Sequence, residues 1–139
     1  MSKSFGLSGL STDGNGNIIV ENNLILNGGM IMPPAININL TGNTNNLVIT
    51  GLLNGVLIRI SSSGNYNLTG LVPPDIAQGG LIFISNIGTN SITLKNNSAL
   101  SSETNRFLMG ADKKLQDDES AIFVYDTLNL RYRMFSVNI

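Results

Sequence analysis

The sequence predicts an all-β fold of the sandwich or barrel type, and three observations predict it. Almost every apolar segment in the 139 residues alternates with period two or forms a short run bounded by Gly, Asn or Pro. Asn54-Gly55 lies between two such runs, a strong hairpin signal because both turn positions of that hairpin favour positive φ. No segment carries a convincing helical stripe, and short strands at close spacing with turn signals between them belong to sandwiches or barrels.

Taken in order, Ile36, Ile38 and Leu40 alternate with Asn37 and Asn39, the pattern of a half-buried strand. Residues 46–53 (NLVITGLL) run into Asn54-Gly55 and then into residues 56–60 (VLIRI), which predicts a hairpin. Tyr66 to Leu71 is a further short strand, stopped by Pro73-Pro74. Gly80 to Ile87 (GLIFISNI) reads as a buried strand. Gly88-Thr89-Asn90 turns the chain, and Ser91 to Lys95 (SITLK) returns it with clean alternation. Ala121 to Tyr125 (AIFVY) and Leu130 to Val137 (LRYRMFSV) form a last pair around Asp126 to Asn129. In that final strand Leu130, Tyr132, Met134 and Ser136 face one way, and Arg131, Arg133, Phe135 and Val137 the other. Ala111 to Ser120 (ADKKLQDDES) has helix-like composition and is expected to be a polar loop or one helical turn.

Residues 1–35 differ from the rest. Asp13 to Asn17 (DGNGN) is rich in turn formers, and residues 17–26 (NIIVENNLIL) give two short apolar pieces broken by Asn22-Asn23. Gly28-Gly29 and Pro33-Pro34 follow. This piece carries too little apolar surface to fold alone, so it is expected to be an attachment or shaft segment ordered by packing, with residues 36–139 forming the head domain. NLTG occurs at residues 39–42 and again at 67–70, but the flanking residues do not match and no repeat is assigned.

Composition narrows the chemistry. The length suits one compact domain that buries roughly 68% of its unfolded surface. There is no cysteine, hence no disulfide and no thiolate metal site, and no histidine, the commonest general base and zinc ligand. Only 12% of residues are charged and the net charge is −1, so the eight scattered Lys and Arg supply no basic stripe for nucleic acid. No apolar run is long enough to span a membrane, and the opening MSKSFGLSGLSTDGNG lacks the apolar stretch of a secretory signal. Asn, Ser, Thr and Gly supply polarity without charge. Such a surface suits packing against copies of itself, where like charges would repel; AT-rich coding bias accounts for the same composition equally well.

The candidate sites are few. The nine carboxylates are Asp13, Glu21, Asp75, Glu103, Asp112, Asp117, Asp118, Glu119 and Asp126. Only the run 117–119 is clustered, and it reads as a solvated loop; the others cannot be paired into a hydrolytic couple from sequence. Asp13, Asn15 and Asn17 begin a calcium-loop spacing, but Ile18 stands where glycine is needed and Leu24 where the bidentate glutamate belongs. No metal, cofactor or catalytic residue is therefore assigned. Asn39, Asn67 and Asn96 open acceptor sequons that fit chance in an Asn-rich chain. Phe83 and Phe123 are expected in the core. Tyr66 and Tyr132 have faces suited to sugar stacking, though core or subunit contact is the simpler role. Arg59, Arg106, Arg131 and Arg133 are expected to pair with loop carboxylates or with neighbouring subunits.

A longer pattern covers roughly half the chain. Tyr66 to Leu71 precedes a polar loop; Gly80 to Asn86 leads through Ile87 to Leu94; Asn96 to Ser102 is Ser-rich and ends at Asn105-Arg106-Phe107. Asp112 to Leu115, Asp118 to Ser120, Ala121 to Asp126 and Arg131-Tyr132-Arg133 complete it. From about Asn65 onward, this order resembles the terminal domain of bacteriophage tail-fibre, head-fibre and spike proteins, whose last motif often carries Trp where Tyr132 stands here. DGNGNIIVENNLILNGG, residues 13–29, is similar to pieces of phage fibre shafts, in which three chains wrap so that every strand edge is paired.

The resemblance implies a jelly-roll-like β-sandwich, usually trimeric, with its N-terminus attached to the particle. It carries over no catalytic or receptor-binding residue. The expectation is a non-enzymatic virion protein on the exterior of the particle, a fibre or head-fibre subunit. Its partners would be itself as a homotrimer, capsid or tail proteins through the N-terminal segment, and host-surface glycan, with neither nucleic acid nor membrane among them. The alternatives are a capsid decoration protein and a glycan-binding lectin module. A depolymerase is disfavoured by small size and by the lack of a paired-carboxylate signal.

Overall fold

The computed structural model describes residues 10–12, 14, 18–20 and 32–135. The chain divides into two compact units, Met1–Ile31 and Met32–Ile139. In the first, β1 (Leu10–Thr12) and β2 (Ile18–Val20) form an antiparallel pair with Ser11 opposite Ile19. Ile18 and Ile19 are adjacent in sequence, so their side chains point to opposite faces, and both are exposed. A two-stranded hairpin of this kind is at best marginally stable by itself.

Among its described residues the second unit is all-β apart from one 3₁₀ turn at Glu103–Asn105. Its strands are β3 (Ile36–Leu40), β4 (Val56–Ser62), β5 (Tyr66–Leu68), β6 (Leu81–Asn86), β7 (Ile92–Leu94), β8 (Phe107–Leu108), β9 (Lys113–Leu115), β10 (Ser120–Asp126) and β11 (Arg131–Phe135). A six-stranded sheet runs β3-β4-β6-β10-β11-β8, and a three-stranded sheet runs β5-β7-β9.

The two sheets are sides of one solenoid-like stack. β3, β4 and β6 are mutually parallel, with Ile36 beside Ile58 and Ile58 beside Ile84. On the other side Thr44 lies beside Leu68 and Leu47 beside Leu71, while β5 runs parallel to β7, again in register. Each rung thus comprises a strand, a corner and a second strand or bridge. It takes about two dozen residues, within the range of solenoid repeats. The fourth layer runs backwards: β9 is antiparallel to β7 and β10 to β6. β11 then pairs with β10, and β8 closes the sheet parallel to β11.

Registers explain the core. In β4 the buried residues are Val56, Ile58, Ile60 and Ser62, and in β6 they are Ile82, Ile84 and Asn86. Leu68, Ile92, Leu94 and Leu115 meet them from the three-stranded side. Each fully buried Ile or Leu contributes about 1.5–3 kcal/mol. At the reversed end the core turns aromatic. Phe107, Phe123, Tyr125 and Tyr132 lie with ring centroids 5.0 to 6.4 Å apart in tilted and edge-on arrangements.

Several expectations change. The predicted hairpin between residues 46–53 and 56–60 does not form: residues 46–53 make turns and one bridge, and β4 pairs in parallel with β3 and β6. Asn54-Gly55 is a turn, but it delivers the chain into the stack: the Gly55 N–H donates to the Leu81 carbonyl at 2.6 Å, beside Gly80, where a Cβ would sit 2.0 Å from Asn54 Oδ1. Gly88 to Asn90 is likewise a corner between sheets, since β6 and β7 belong to different ones. Residues 111–120 contain a strand, β9, which buries Leu115 against the core. The parallel rungs also differ from the antiparallel jelly roll that the family resemblance implies. The last hairpin matches its expectation: Tyr132 is buried, Leu130 and Met134 pack on the core, and Arg133 and Phe135 face out. Ser136 and Val137 lie outside the described residues.

Gly70 shows how closely the corners approach. A Cβ there would stand 2.6 Å from the Asn105 carbonyl oxygen and 2.7 Å from Ser101 Oγ, whereas one at Gly42 would meet nothing within 4 Å. Gly70→Ala is expected to cost about 2–3 kcal/mol, because a backbone oxygen cannot swing aside. Gly42→Ala should change stability by less than about 0.5 kcal/mol. Urea unfolding of the two variants checks the contrast.

Candidate functional site

The polar side chains of this unit largely serve its corners. Asn86 is fully buried; its Nδ2 donates to the carbonyls of Asn90, Leu115 and Gln116 at 2.9, 3.1 and 3.0 Å, and its Oδ1 accepts from the Gly88 N–H. Asn90 Nδ2 reaches the Ser62 carbonyl at 2.8 Å, and Asn65 Oδ1 accepts from the Ser91 N–H at 2.9 Å. Asn43 Oδ1 holds the Asn67 N–H, and Asn96 Oδ1 the Met109 N–H. A side-chain amide has both a donor and an acceptor end, so it can bridge rungs where the backbone ladder breaks.

A buried hydroxyl cluster was not foreseen from the sequence. Thr69 Oγ1 lies 2.7 Å from Ser101 Oγ and donates to Asn45 Oδ1 at 2.8 Å, while Ser101 Oγ also accepts from the Asn46 N–H. Asn105 Nδ2 donates to Asn46 Oδ1, and Arg106 Nε to the Ser101 carbonyl. The Ser101 hydroxyl meets only another hydroxyl and a backbone N–H. With no histidine in the chain, nothing here activates it as a nucleophile.

The candidate residues disperse. Among the described residues no group of three or more acidic side chains could hold a metal ion. Asp117, Asp118 and Glu119 are exposed, with Glu119 Oε2 capping the Gln116 N–H. Asp13, Asn15 and Asn17 lie outside the described residues. Arg131 pairs with Glu103, Lys95 with Asp112, and Arg133 with Asp126 at 2.5 Å; Arg59 is exposed on β4. Tyr132 is buried among the aromatics and unavailable to a sugar, and burial pushes its hydroxyl above the ordinary tyrosine range. Tyr66 is half-buried, its hydroxyl 3.3 Å from Ser63 Oγ.

Phe83 departs from expectation. Within the apolar run of β6, Ile82 and Ile84 take the core face, so Phe83 stands half-buried on the outward face. There it joins a row across four strands, because Leu57 pairs with Phe83, Phe83 with Ile122, and Ile122 with Phe135. Leu81 and Val124 pair in the next row. Phe135 is 64% exposed, Leu81 39% and Ile122 38%. Asn37, Arg59, Ser85 and Ser120 border the patch on one side, Asp126, Arg131 and Arg133 on the other. No signal in the sequence could identify this row, since its members come from four strands whose pairing is non-local.

No family model, curated protein or solved structure matches the chain. Its described residues define an all-β protein with solenoid-like stacking, a buried polar network at its corners and an apolar outer sheet face.

Two outcomes follow. Asn86→Asp places a carboxylate against carbonyl oxygens and should cost about 3 kcal/mol or more, measured by chemical denaturation. The second concerns pH. The Arg133 guanidinium, then Asn129, holds the Asp126 carboxyl well below the usual carboxylate range, and Lys95 with the Asn96 N–H lowers Asp112. Folding therefore favours both ionised forms. Their contribution is present above the ordinary carboxylate pKa of about 4 and is lost as pH falls through the lower folded values. The urea midpoint should be level from about pH 5 to 8, where neither histidine nor cysteine titrates, and should fall on acidification. The double variant Asp112→Asn, Asp126→Asn should fall less.

Proposed function

We propose that the chain is a structural virion protein, a bacteriophage fibre or head-fibre subunit displayed on the exterior of the particle as a homotrimer. The observation that carries this reading is the division of labour among side chains. The buried side chains of Thr69, Asn86, Ser91, Ser101 and Asn105 are engaged in corner hydrogen bonds, and an apolar sheet face is left open to make contacts. A protein whose task is shape rather than turnover needs that much and no more. The phage-fibre pattern from Tyr66 to Arg133 supports the same assignment. The rigid element in this reading is the parallel stack with its reversed last layer, in place of a jelly-roll sandwich. The protein performs no catalysis in this role; host-surface glycan is a secondary partner.

A second reading, a capsid decoration protein, draws on one specific observation. β2 presents Ile18 and Ile19 on opposite faces, both exposed, as a segment clamped between capsid subunits would. A glycan array discriminates the lectin alternative, which requires the head alone to bind sugars.

Light scattering on the full chain at micromolar concentration tests the main reading. The expected mass is about three times the 14.8 kDa of one chain. Limited proteolysis separates the alternatives. A shaft segment stays protected in the isolated oligomer, whereas a capsid-held segment is cut within residues 1–35 until the particle is assembled.

A further inference from the structure

We infer that the outward face of the six-stranded sheet, centred on Phe83 and Ile122, is the surface through which copies of this chain associate. The inference rests on the homo-oligomeric reading above and deepens it by naming the surface. The row from Leu57 through Phe83 and Ile122 to Phe135 crosses four adjacent strands without interruption. At about 4.8 Å between strands it is about 14 Å long, and with the Leu81–Val124 pair it covers about 200 Å² of the sheet face. With its border the face offers about 400 Å², about half of the roughly 800 Å² per partner that a standard interface buries.

Charge and hydrogen-bonding capacity select the occupant. The six apolar residues carry no charge, so the copies of a trimer can bring these rows together around a shared axis without opposing like charges. The border beside them offers Asn37, Ser85 and Ser120 around one exposed cation, Arg59, and Ser120 Oγ already bonds Ser85 Oγ at 3.0 Å. Hydroxyls and amides both donate and accept, so identical borders can satisfy one another in several registers. On the opposite border, Asp126 and Arg133 neutralise each other within the chain, which leaves little electrostatic call for a partner of opposite charge. A second copy of the chain fits this face better than a charged protein, a nucleic acid or a lipid headgroup.

The test compares Ile122→Lys with Leu128→Lys in the full chain; Leu128 is 93% exposed in the β10–β11 turn, away from the row. Light scattering should return the oligomer mass for the wild type and for Leu128→Lys, and 14.8 kDa for Ile122→Lys. Because the chain has no cysteine, Ile122→Cys and Leu128→Cys each carry a single thiol. The thiol at 122 should react with a maleimide about tenfold or more slowly than the one at 128, since packed interface cores exclude solvent. Should Ile122→Lys fail to fold, the thiol rates alone decide. An oligomeric wild type with equal thiol rates, or with an Ile122→Lys variant of unchanged mass, overturns this surface and leaves the fibre reading standing. A monomeric wild type overturns both.

Discussion

Everything in the second unit depends on in-register parallel stacking of β3, β4 and β6, and stacking of this kind fails unless each corner is closed. Strands in a parallel ladder hydrogen-bond to their neighbours, but the backbone between them must change direction, and its amides lose ladder partners there. Asn86 meets this constraint at the most buried corner. It ties the end of β6 to the carbonyls of Asn90, Leu115 and Gln116, and so fixes where β7 and β9 lie relative to β6. The Thr69–Ser101–Asn105 network does the same where Gly70 passes under the 3₁₀ turn. Unsatisfied, each buried group would cost about 1–3 kcal/mol, comparable to a sizeable fraction of a domain's net stability.

This gives the asparagine-rich, charge-poor composition a physical role. The side-chain amides of Asn43, Asn46, Asn65, Asn86, Asn90 and Asn96 bond to backbone groups elsewhere in the chain. Lysine or glutamate at these positions would offer only donors or only acceptors and would bring a charge to be desolvated. Low charge in this chain therefore reflects corner construction as well as whatever its surfaces meet.

The strands themselves were largely legible in the sequence, and their partners were not. Alternation located β3, and apolar runs located β4, β6 and β10, because burial on one face imposes period two on any strand. The Asn54-Gly55 turn marked a bend correctly, yet a turn signal states that the chain changes direction and not which strand it meets next. Parallel pairing joins Ile36 to Ile58 and Ile58 to Ile84 across intervening corners of unequal length, and what recurs with the rungs, such as Gly42-Asn43 and Gly64-Asn65, is too short to mark a repeat. β9 went unseen because Lys113 and Lys114 mask the single buried Leu115. For Phe83, a run of five apolar or small residues leaves both faces open, and only the register with Ile122 decides between them. The candidate surface was hidden for the same reason.

The reversed fourth layer has a consequence for size. Because β9 and β10 run against β7 and β6, the parallel progression stops there, and β11 and β8 complete that side of the six-stranded sheet. Termination is thus the work of residues after about 95, whereas the repeating work is done by the rungs before it. A duplicated rung of about two dozen residues inserted ahead of β6 would lengthen the stack by one strand spacing, about 4.8 Å, without altering the aromatic end. Length and end chemistry are encoded in separate stretches of sequence, so a lineage of such chains can vary reach in small increments while its terminus stays the same.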